Sequence, residues 1–409
     1  MRVGLLSGIR VVELGTAWAG PYAARLLADL GAEVIKVEGP RRPDFVRFGM
    51  YVDDDPGETP WERGGHYQKF SRNKLSCVLD ITAPAGHALF IRLLERSDVL
   101  IENNTPRVRE HLGLTPAFLR ERLPHLVAVS LPGFGDWGPY RNYLAFGLTI
   151  EGFSGLSSVT GYAEDGVPVR STVPYGDPVA AVYGALAALA GIRQRRRTGR
   201  GLHVELSQHE ALITLLPDVL LRAQVAGSPP GPAGNDDALL YAPHGVFPCR
   251  GRDAWVAIAV ETDGEWRALC RVIGRPDLQE RDTHEARDAA EVRRAVEAWT
   301  RGRTKTEAAE ELQRHGVPAG PVLSVREMMA HRQVTARGCY REVAHPSYRP
   351  LPYAQSPVRF AGREAREDRH APLFGQDNRY VFRDLLGLSE EEIQRLYAEG
   401  VTADRPEMA

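Results

Sequence analysis

The pair Asp177-Pro178 stands directly before a long apolar run in which Val179, Val182 and Leu186 recur at helical spacing. This pattern predicts a helix with Asp177 as its N-cap and Pro178 in the first helical position. The same geometry would suit a nucleophilic carboxylate, because the helix dipole and free backbone N–H groups would hold it ionised. Spacing does not separate these two roles, so both stay open at this point.

A second candidate site is the Gly-containing turn at residues 15–21, after the first predicted strand. A dinucleotide fingerprint needs three spaced glycines, because they allow a tight turn and close approach of the backbone to pyrophosphate. Only Gly15 fits that pattern, and the bulky Trp18 occupies the space that a pyrophosphate would need. Glu38, at the end of the second predicted strand, could bind a ribose, but many strands end in an acidic residue. The turn therefore argues against NAD binding.

Composition limits the class of protein. The 409-residue chain has a formal net charge of -2, which gives no indication of a nucleic-acid partner or of an anionic membrane. Its four cysteines are widely spaced and no histidine stands at metal-ligand spacing, so we expect a reducing compartment and no metal site. No apolar run reaches the roughly 18 residues of a spanning helix, and the run before Arg10 is too short for a signal peptide. These features predict a soluble cytoplasmic protein.

Strand-like and helix-like patterns alternate through the first half of the chain, which predicts an α/β fold with βαβ units and a mainly parallel sheet. We expect strands at residues 10–14, 32–37, 75–79, 99–101 and 126–131, and helices at 22–30, 85–96 and 178–195. These elements would place both candidate sites in one nucleotide-binding type of domain.

Domain boundaries follow from changes in composition. The Pro- and Gly-rich run at residues 227–237 predicts a linker. Beyond it, a predicted hairpin and two helices indicate a smaller α+β unit, followed by a Pro-rich stretch at 344–378 that we expect to be irregular. We therefore predict a large domain over 1–226, a small domain over 227–343 and a C-terminal part over 344–409.

Eight runs occur in order along most of the chain: "AGPYAARLLADLGAEVIKVEGP", "SRNKLSCVLDI", "SDVLIENNTPRV", "GFGDWGPY", "FSGLSSVTGY", "GDPVAAVYGALAAL", "RTGRGLHVELS" and "LFGQDNRYVFRDLLGLSEEEIQRL". In this combination the sequence resembles the class III CoA-transferase family, the formyl-CoA and carnitine CoA-transferase group. The resemblance implies a Rossmann-like large domain built from both chain ends and a smaller α+β middle domain. It also implies a homodimer whose two chains are interlocked like links.

The same resemblance implies an activity. The family nucleophile is the Asp of the "GDP" run, which here is Asp177. Its carboxylate would attack an acyl-CoA thioester to give a mixed anhydride, and the returning CoA thiolate would give an aspartyl-CoA thioester. A carboxylic acid acceptor would then take over the acyl and CoA groups. The implied partners are an acyl-CoA and a carboxylic acid, and coenzyme A is a substrate rather than a permanently bound cofactor.

The resemblance further implies where CoA lies on the large domain. The CoA contacts that it suggests are Trp18, Ala19, Glu38, Arg47, Arg72, Lys74, Asn103 and Arg107. Trp18 and Ala19 would border the thioester end. Lys74, and with less support Arg72, would meet the 3′-phospho-ADP end, where a cation suits a phosphate. For Arg72 and Arg107, an ordinary solvated role at a strand end stays open.

Three departures from the family pattern bear on the substrate. Trp18 stands where the formyl-CoA enzymes have a Gln, and Gly147, beside Phe146, stands where they have a Tyr. No oligoglycine loop occurs in the small domain, where Gly231 and Gly234 are the nearest substitutes. These changes argue against a formyl and oxalyl substrate pair and favour a bulkier acyl group, with succinyl-CoA as a candidate donor.

Two other functions are weighed against the transferase. An α-methylacyl-CoA racemase on the same fold needs a second positioned base, a His that belongs to a "GHDINY"-like run. The corresponding run at 141–147 has no His, and the nearest, His125 and His203, lie outside it. A non-catalytic CoA-binding protein is the third possibility, against which the helix-start context of Asp177 argues.

Overall fold

The computed structural model describes residues 4–162, 164–228, 230–235, 241–280, 286–361 and 368–407. The chain divides into two compact units: the larger holds residues up to 157, 170–230 and those from 338 on, and the smaller holds 158–169 and 231–337. N-terminal and C-terminal sequence therefore lies in the same unit. Of the linker expected at 227–237, residues 229, 236 and 237 lie outside the described residues.

Six short parallel strands form the sheet of the larger unit: β1 (Arg10–Leu14), β2 (Glu33–Glu38), β3 (Leu75–Val78), β4 (Val99–Glu102), β5 (Val127–Ser130) and β6 (His203–Glu205). Their order is β3-β2-β1-β4-β5-β6, and Val12 of β1 lies opposite Ile35 of β2 and Leu100 of β4. This is the doubly wound order, in which the strand order reverses between β1 and β4. The predicted α/β fold class is confirmed.

The α-helices in the described part of the chain are α1 (Ala19–Asp29), α2 (Gly65–Ser71), α3 (Pro84–Glu95), α4 (Pro106–His111), α5 (Pro116–Arg122), α6 (Gly147–Ser154), α7 (Leu156–Val159), α8 (Gly176–Thr198), α9 (Gln208–Ile213), α10 (Pro217–Ala226), α11 (Asp263–Val272), α12 (Ala286–Arg301), α13 (Lys305–Arg314), α14 (Val325–Ala330), α15 (Arg332–Ala336) and α16 (Glu390–Ala398). Short 3₁₀ turns occur at Phe45–Arg47, Val52–Asp54, Pro60–Glu62 and Pro276–Leu278, and a π-helical segment occurs at Tyr380–Leu385.

Apolar layers cover the two faces of the parallel sheet. One layer contains Leu27 of α1 and Ala188 of α8, together with strand residues Val11, Val34 and Val99. The other contains Phe90 of α3 with Phe382 and Ile393 from the C-terminal part, together with strand residues Val12, Ile35 and Leu100. Burial on both faces explains why the strands read as continuous apolar runs. The C-terminal part therefore completes the core of the larger unit.

The helix that carries Asp177 begins two residues earlier than predicted. Its N-cap is Tyr175, its first residue is Gly176, and no side chain caps it. The predicted N-cap role of Asp177 is therefore wrong, and the carboxylate lies in the first turn, free to contact other parts of the chain. Gly191 brings α8 close to the sheet, because a Cβ there would lie only 2.4 Å from Val127 Cγ1.

The smaller unit contains a three-stranded antiparallel sheet of β7 (Tyr241–Pro248), β8 (Trp255–Val260) and β9 (Ala319–Pro321), in that order. Residues of α11, α12 and α13, among them Leu269, Val296 and Leu312, form one core with Val256 of β8. A capping box starts α13: the Thr304 hydroxyl accepts the N–H of Glu307. The unit is thus an α+β arrangement.

A hairpin in the larger unit corrects one prediction. The strands β10 (Tyr340–His345) and β11 (Tyr348–Ala354) pair in an antiparallel manner, although residues 344–378 were expected to be irregular. The prolines Pro350 and Pro352 suggested a break in structure. Because β11 pairs only with β10, it is an edge strand, and an edge strand tolerates proline.

The described residues contain neither a membrane-spanning helix nor a cluster of metal ligands. Among the described helices, none combines the length and the apolar character that crossing a membrane would require. Within the same described residues, no group of three or more His, Cys, Asp or Glu side chains is arranged to hold a metal ion. The four cysteines are free thiols, and Cys339 is the only one of them that is not buried.

Candidate active site

The turn that follows β1 is held from behind by a buried lysine. The Lys36 ammonium donates to three oxygens, each at 2.9 Å: Glu13 Oε1, the Gly15 carbonyl and Asp44 Oδ2. The second oxygen of Asp44 accepts the N–H of Ala17 at 3.0 Å. Burial lowers the pKa of Lys36, but attraction by Asp44 and Glu13 outweighs it, so that pKa is raised and the ammonium stays charged. One cation and two carboxylates thus fix the backbone of the turn.

The turn is also held from the side, by Asn103 after β4. The Asn103 amide donates to the carbonyl of Thr16 and accepts its N–H, both at 2.9 Å. A Cβ on Gly15 or Gly20 would lie about 3 Å from Asn103 Oδ1, so these glycines make room for the amide. Between them, Ala17 has a φ of 63°, a left-handed conformation that costs a non-glycine residue about 1–2 kcal/mol. The surrounding hydrogen bonds keep the turn in this strained shape.

Asp177 lies against the end of this turn. The backbone N–H of Ala19, at the start of α1, is close enough to this carboxylate to lower its pKa. Gly147 leaves space for the carboxylate, because a Cβ on Gly147 would lie 2.6 Å from Asp177 Oδ2. Burial raises the pKa of Asp177 to about 6, the Ala19 N–H opposes this rise, and the nearby Glu151 adds to it. The carboxylate is therefore ionised at neutral pH and more basic than an ordinary aspartate.

Trp18, the N-cap of α1, packs against α2. The ring centres of His66 and Phe70 each lie 4.9 Å from the ring centre of Trp18. The Lys69 ammonium lies 4.9 Å from the same ring centre, within the range of a cation–π contact. Because Trp18 directly precedes Ala19, this aromatic and cationic group adjoins the backbone that contacts Asp177.

Two of the cations expected to bind the phosphates of CoA are bonded inside the protein. The Lys74 ammonium is fully buried and donates to Glu13 and to the Pro21 carbonyl. Burial lowers the pKa of Lys74 to about 8 despite the opposing effect of Glu13. The Arg72 guanidinium is also buried and donates to Asp29 Oδ2 at 2.9 Å. The proposed contacts of these two residues with CoA stay predictions.

Glu38 and Arg47 form a buried ion pair. Arg47 donates to both oxygens of Glu38, at 2.9 and 2.8 Å, and its guanidinium lies 3.7 Å from the ring centre of Tyr67. Glu38 also accepts the backbone N–H of Asp44 at 2.9 Å. Burial raises the pKa of Glu38, but Arg47 outweighs it, so that pKa is lowered. The pair ties the end of β2 to the segment that carries Asp44 and hence supports the turn.

An open cavity of about 710 Å³ lies where the strands β1 to β4 end. This is the edge at which doubly wound folds bind their ligands. Glu38 and Arg107 from the predicted set line it, and Arg107 is exposed. Three further side chains that can carry positive charge also line it, which the sequence analysis did not select: Arg41, Arg42 and His111. In the sequence, the adjacent arginines at 41 and 42, shortly after the strand predicted at 32–37, could have indicated these cations.

The predicted site residues thus fall into three groups. Those that meet around the turn are Trp18, Ala19, Asn103 and Asp177. Those that border the cavity are Glu38 and Arg107. Those whose charged groups are bonded to carboxylates of the protein are Arg47, Arg72 and Lys74. Sequence reasoning missed Lys36, although a lysine inside the apolar run "EVIKVE" is a signal of a buried, paired charge.

Comparison with known proteins identifies the family to which the chain belongs. The family model for CoA-transferase family III matches residues 6–378. A succinyl-CoA–D-citramalate CoA-transferase from Chloroflexus aurantiacus is 33% identical over 404 residues, which are 97% of this chain and 98% of that protein. A succinate–glutarate CoA-transferase from Agrobacterium fabrum is 33% identical, with 93% and 95% covered, and a formyl-CoA:oxalate CoA-transferase from Streptomyces avermitilis is 32% identical, with 97% and 99% covered. The crystal structure of a CAIB/BAIF family protein from Brucella suis matches with a TM-score of 0.82 at 28% identity, covering 94% of this chain and 100% of that one. The chain therefore belongs to CoA-transferase family III and is an enzyme of that class.

Proposed function

We propose that this CoA-transferase moves CoA from succinyl-CoA to a carboxylic acid through covalent intermediates on Asp177. The observation that carries the proposal is the position of this carboxylate in the first turn of α8 against Gly147, where burial raises its pKa to about 6. The buried carboxylates of Glu13 and Glu38 are bonded to cations. Asp177, by contrast, forms no ion pair within the described residues. A partly desolvated carboxylate without a cation is the better nucleophile, because less of its charge is neutralised.

The exchange proceeds in four balanced steps on one carboxylate. The Asp177 carboxylate attacks the thioester carbonyl and expels CoA thiolate, which leaves a mixed anhydride. The thiolate attacks the aspartyl carbonyl of the anhydride, releases succinate and forms an aspartyl-CoA thioester. The acceptor carboxylate attacks this thioester and expels the thiolate, which gives a second mixed anhydride. The thiolate then attacks the acceptor carbonyl, and the Asp177 carboxylate is regenerated.

The turn assists by orientation. The Ala19 N–H stabilises the Asp177 carboxylate at the end of the turn, where we expect it to meet the substrate. Positioning of this kind converts a reaction between free molecules into a reaction within a complex. The supports of the turn, Lys36 and Asn103, act through Ala19 and not through the substrate.

CoA itself would extend from the turn into the cavity at the ends of β1 to β4. Support comes from the exposed cationic side chains of Arg42 and Arg107 along the cavity, which suit phosphate groups. The cavity volume of about 710 Å³ falls in the range of cofactor sites. In this arrangement Arg47, Arg72 and Lys74 act by shaping the cavity and the turn, since their charges are already paired.

The choice of succinyl-CoA rests on the departures at Trp18 and Gly147 and on the relatives. Two relatives at 33% identity have succinyl-CoA or succinate in their names, together with citramalate or glutarate. A relative at 32% identity is a formyl-CoA:oxalate enzyme, so identity alone does not decide between donors. The residues around Trp18 therefore carry the argument for a larger acyl group.

We further propose that the enzyme is a homodimer, as the resemblance implies. Large apolar side chains are exposed on two helices of the larger unit, among them Val182 and Leu186 of α8 and Leu221 and Val225 of α10. No residue of α10 is buried. Light scattering should therefore give twice the chain mass, and a monomer mass would contradict this proposal. The expected cytoplasmic location stays a prediction.

Intact-protein mass measurement tests the nucleophile. We expect incubation of the wild-type enzyme with succinyl-CoA to give an aspartyl-CoA adduct, which adds the mass of CoA less that of one water. Asp177→Asn keeps the shape of the side chain but removes the nucleophilic oxygen, so the adduct and the transferase activity should both disappear. Glu391→Gln, an exposed change on α16, is the matched control and should keep both.

Other outcomes of this experiment point to the alternative functions. Loss of α-deuterium from a labelled acyl-CoA, with no adduct and no acceptor, would replace the transferase mechanism by a racemase mechanism. Against that outcome, His203 is engaged elsewhere, at 3.0 Å from Ser130 Oγ and 3.2 Å from Arg109 Nη1. Absence of any acyl-CoA binding would leave only a non-catalytic role.

A further inference from the structure

Lys69 is exceptional among the four lysines of the chain. The other three are bonded to carboxylates: Lys36, Lys74 and Lys305. Within the described residues, no carboxylate lies at ion-pair distance from Lys69. Its ammonium lies instead 4.9 Å from the ring centre of Trp18 and 5.0 Å from that of Phe70. A cation in this position has attraction to two rings but no counter-ion.

A second group that can carry positive charge lies beside the first. The His66 ring is half-buried, and its centre lies 4.9 Å from that of Trp18. Burial and then Lys69 lower the pKa of His66, while burial and Arg25 lower the pKa of Lys69. Both shifts express the same situation, in which positive charge is desolvated without an anion nearby. An anion bound here would reverse both shifts.

The position of this group relative to the nucleophile suggests what the anion is. Trp18 directly precedes Ala19, whose N–H contacts Asp177. A substrate that reacts at Asp177 and lies along Trp18 would therefore bring its far end toward Lys69. With C–C bonds of about 1.5 Å, the two carboxyl carbons of an extended four- or five-carbon diacid are about 4–5 Å apart. In a diacid of this length the second carboxylate lies well clear of the reacting carbonyl and is available to a cation.

We propose that Lys69, with His66 beside it, binds the distal carboxylate of a dicarboxylic acyl group while the proximal carbonyl reacts at Asp177. This inference rests on the proposed function and names its substrate class as short dicarboxylic acids and their CoA thioesters. Lys69 is in this sense a specificity-determining residue. A monocarboxylic acyl group of equal length leaves the ammonium without a partner and gains nothing from it.

The test compares two donors that differ only in the distal carboxylate, succinyl-CoA and butyryl-CoA. Lys69→Met keeps the apolar stem over Trp18 and removes the charge. We expect kcat/KM for succinyl-CoA to fall by about 10–100-fold, the effect of one lost charged hydrogen bond, and that for butyryl-CoA to change by less than about threefold. Lys69→Arg should restore most of the loss, and His66→Gln should give a smaller loss for succinyl-CoA alone.

Lys305→Met is the matched control, because Lys305 lies in the smaller unit and pairs with Glu327. This variant should leave kcat/KM unchanged for both donors, and thermal unfolding should show that every variant is folded. Equal effects of Lys69→Met on both donors, no effect on either, or a wild-type enzyme that prefers butyryl-CoA would each overturn the inference. If the Asp177 adduct forms but the ratio of kcat/KM for succinyl-CoA to that for butyryl-CoA is the same in Lys69→Met as in the wild-type enzyme, only the inference fails. If no adduct forms with either donor, the proposed function itself fails.

Discussion

Lysines around the turn after β1 have opposite surroundings. Lys36 and Lys74 are completely buried, and each donates to Glu13 and to a backbone carbonyl. Lys69 is exposed, lies over aromatic rings and has no carboxylate partner within the described residues. The same type of residue therefore serves two purposes. Paired charges fix the backbone, whereas unpaired charge is available to a ligand.

A buried ion pair acts mainly through geometry. Desolvation cancels most of the attraction between the charges, so the intact pair adds little net stability. Removal of one partner is costly, however, because the other charge stays buried without compensation. Lys36, with three acceptors at 2.9 Å, is therefore the point at which the turn is most vulnerable.

The largest expected effect comes from breaking a buried ion pair. Lys36→Met leaves Asp44 buried without a cation, and we expect the free energy of unfolding to fall by about 3–5 kcal/mol. Lys74→Met should cost less, because Glu13 keeps Lys36 as a partner. Urea denaturation of the wild-type enzyme and of both variants measures these two losses in the free energy of unfolding. A loss below about 1 kcal/mol for Lys36→Met would show that the network is not a structural support.

The next largest effect concerns the pH dependence of the proposed nucleophile, Asp177. The pKa of Asp177 is about 6, and only the ionised form attacks a thioester, so kcat/KM falls as the pH drops through this value. Between pH 7 and pH 5 we expect a decrease of about tenfold.

Glu151→Gln sharpens this test. It removes a negative charge that raises the pKa of Asp177, so the acidic limb of the pH–rate profile should move to lower pH. The side-chain oxygen of the new Gln can still accept the hydrogen bond from the Tyr175 N–H, which lies 2.8 Å from Glu151 Oε1 in the wild-type enzyme. A limb that does not move, or that moves to higher pH, would argue against Asp177 as the titrating group.

A smaller effect is expected at the open cavity. Arg107→Gln removes an exposed cation from the cavity lining, and we expect the KM for acyl-CoA to rise about 5–10-fold while kcat is retained. Arg120→Gln, an exposed change on α5 outside the lining, is the control. If KM is unchanged in Arg107→Gln, the phosphates of CoA lie elsewhere.

The smallest effect is expected for a partly exposed ion pair, which serves as a reference for the buried pairs of Lys36. Glu33 lies at the start of β2, the strand that carries Lys36, and pairs with Arg10 near the surface. The pair is partly exposed, so water and salt weaken it, and Glu33→Gln should cost at most about 1 kcal/mol. A loss comparable to that of Lys36→Met would mean that position on the strand, rather than burial of the charge, decides the cost.

The elements of the sheet could be predicted well from the sequence. The strand expected at 10–14 occurs as Arg10–Leu14, and the helix expected at 85–96 occurs as Pro84–Glu95. Apolar periodicity is a local property, and a sheet buried on both faces makes it strong. The start of α8 was misplaced by two residues because Asp177 resembles a capping residue, whereas Tyr175 takes the N-cap position without a side-chain bond.

The site was predicted only in part, and the reason is the pairing of charges. Asp177, Ala19, Trp18 and Asn103 each lie at the start of a helix or the end of a strand that the sequence indicates. The expected contact of Lys74 with a phosphate stays a prediction, but nothing in the sequence indicated that this lysine bonds to Glu13, which is distant in sequence. No local pattern announces such a partner, because the contact exists only once β1, β2 and β3 lie side by side.

The sequence by itself determined the α/β class, the family and the candidate nucleophile, because these follow from periodicity and from ordered motifs along the chain. Only the tertiary structure decided which cations are free. A lysine looks the same in sequence whether its ammonium is buried against a carboxylate or exposed over a tryptophan. Burial and the distance to the nearest carboxylate make that difference, and these place Lys36 and Lys74 in the frame of the turn and leave Lys69 over the ring of Trp18.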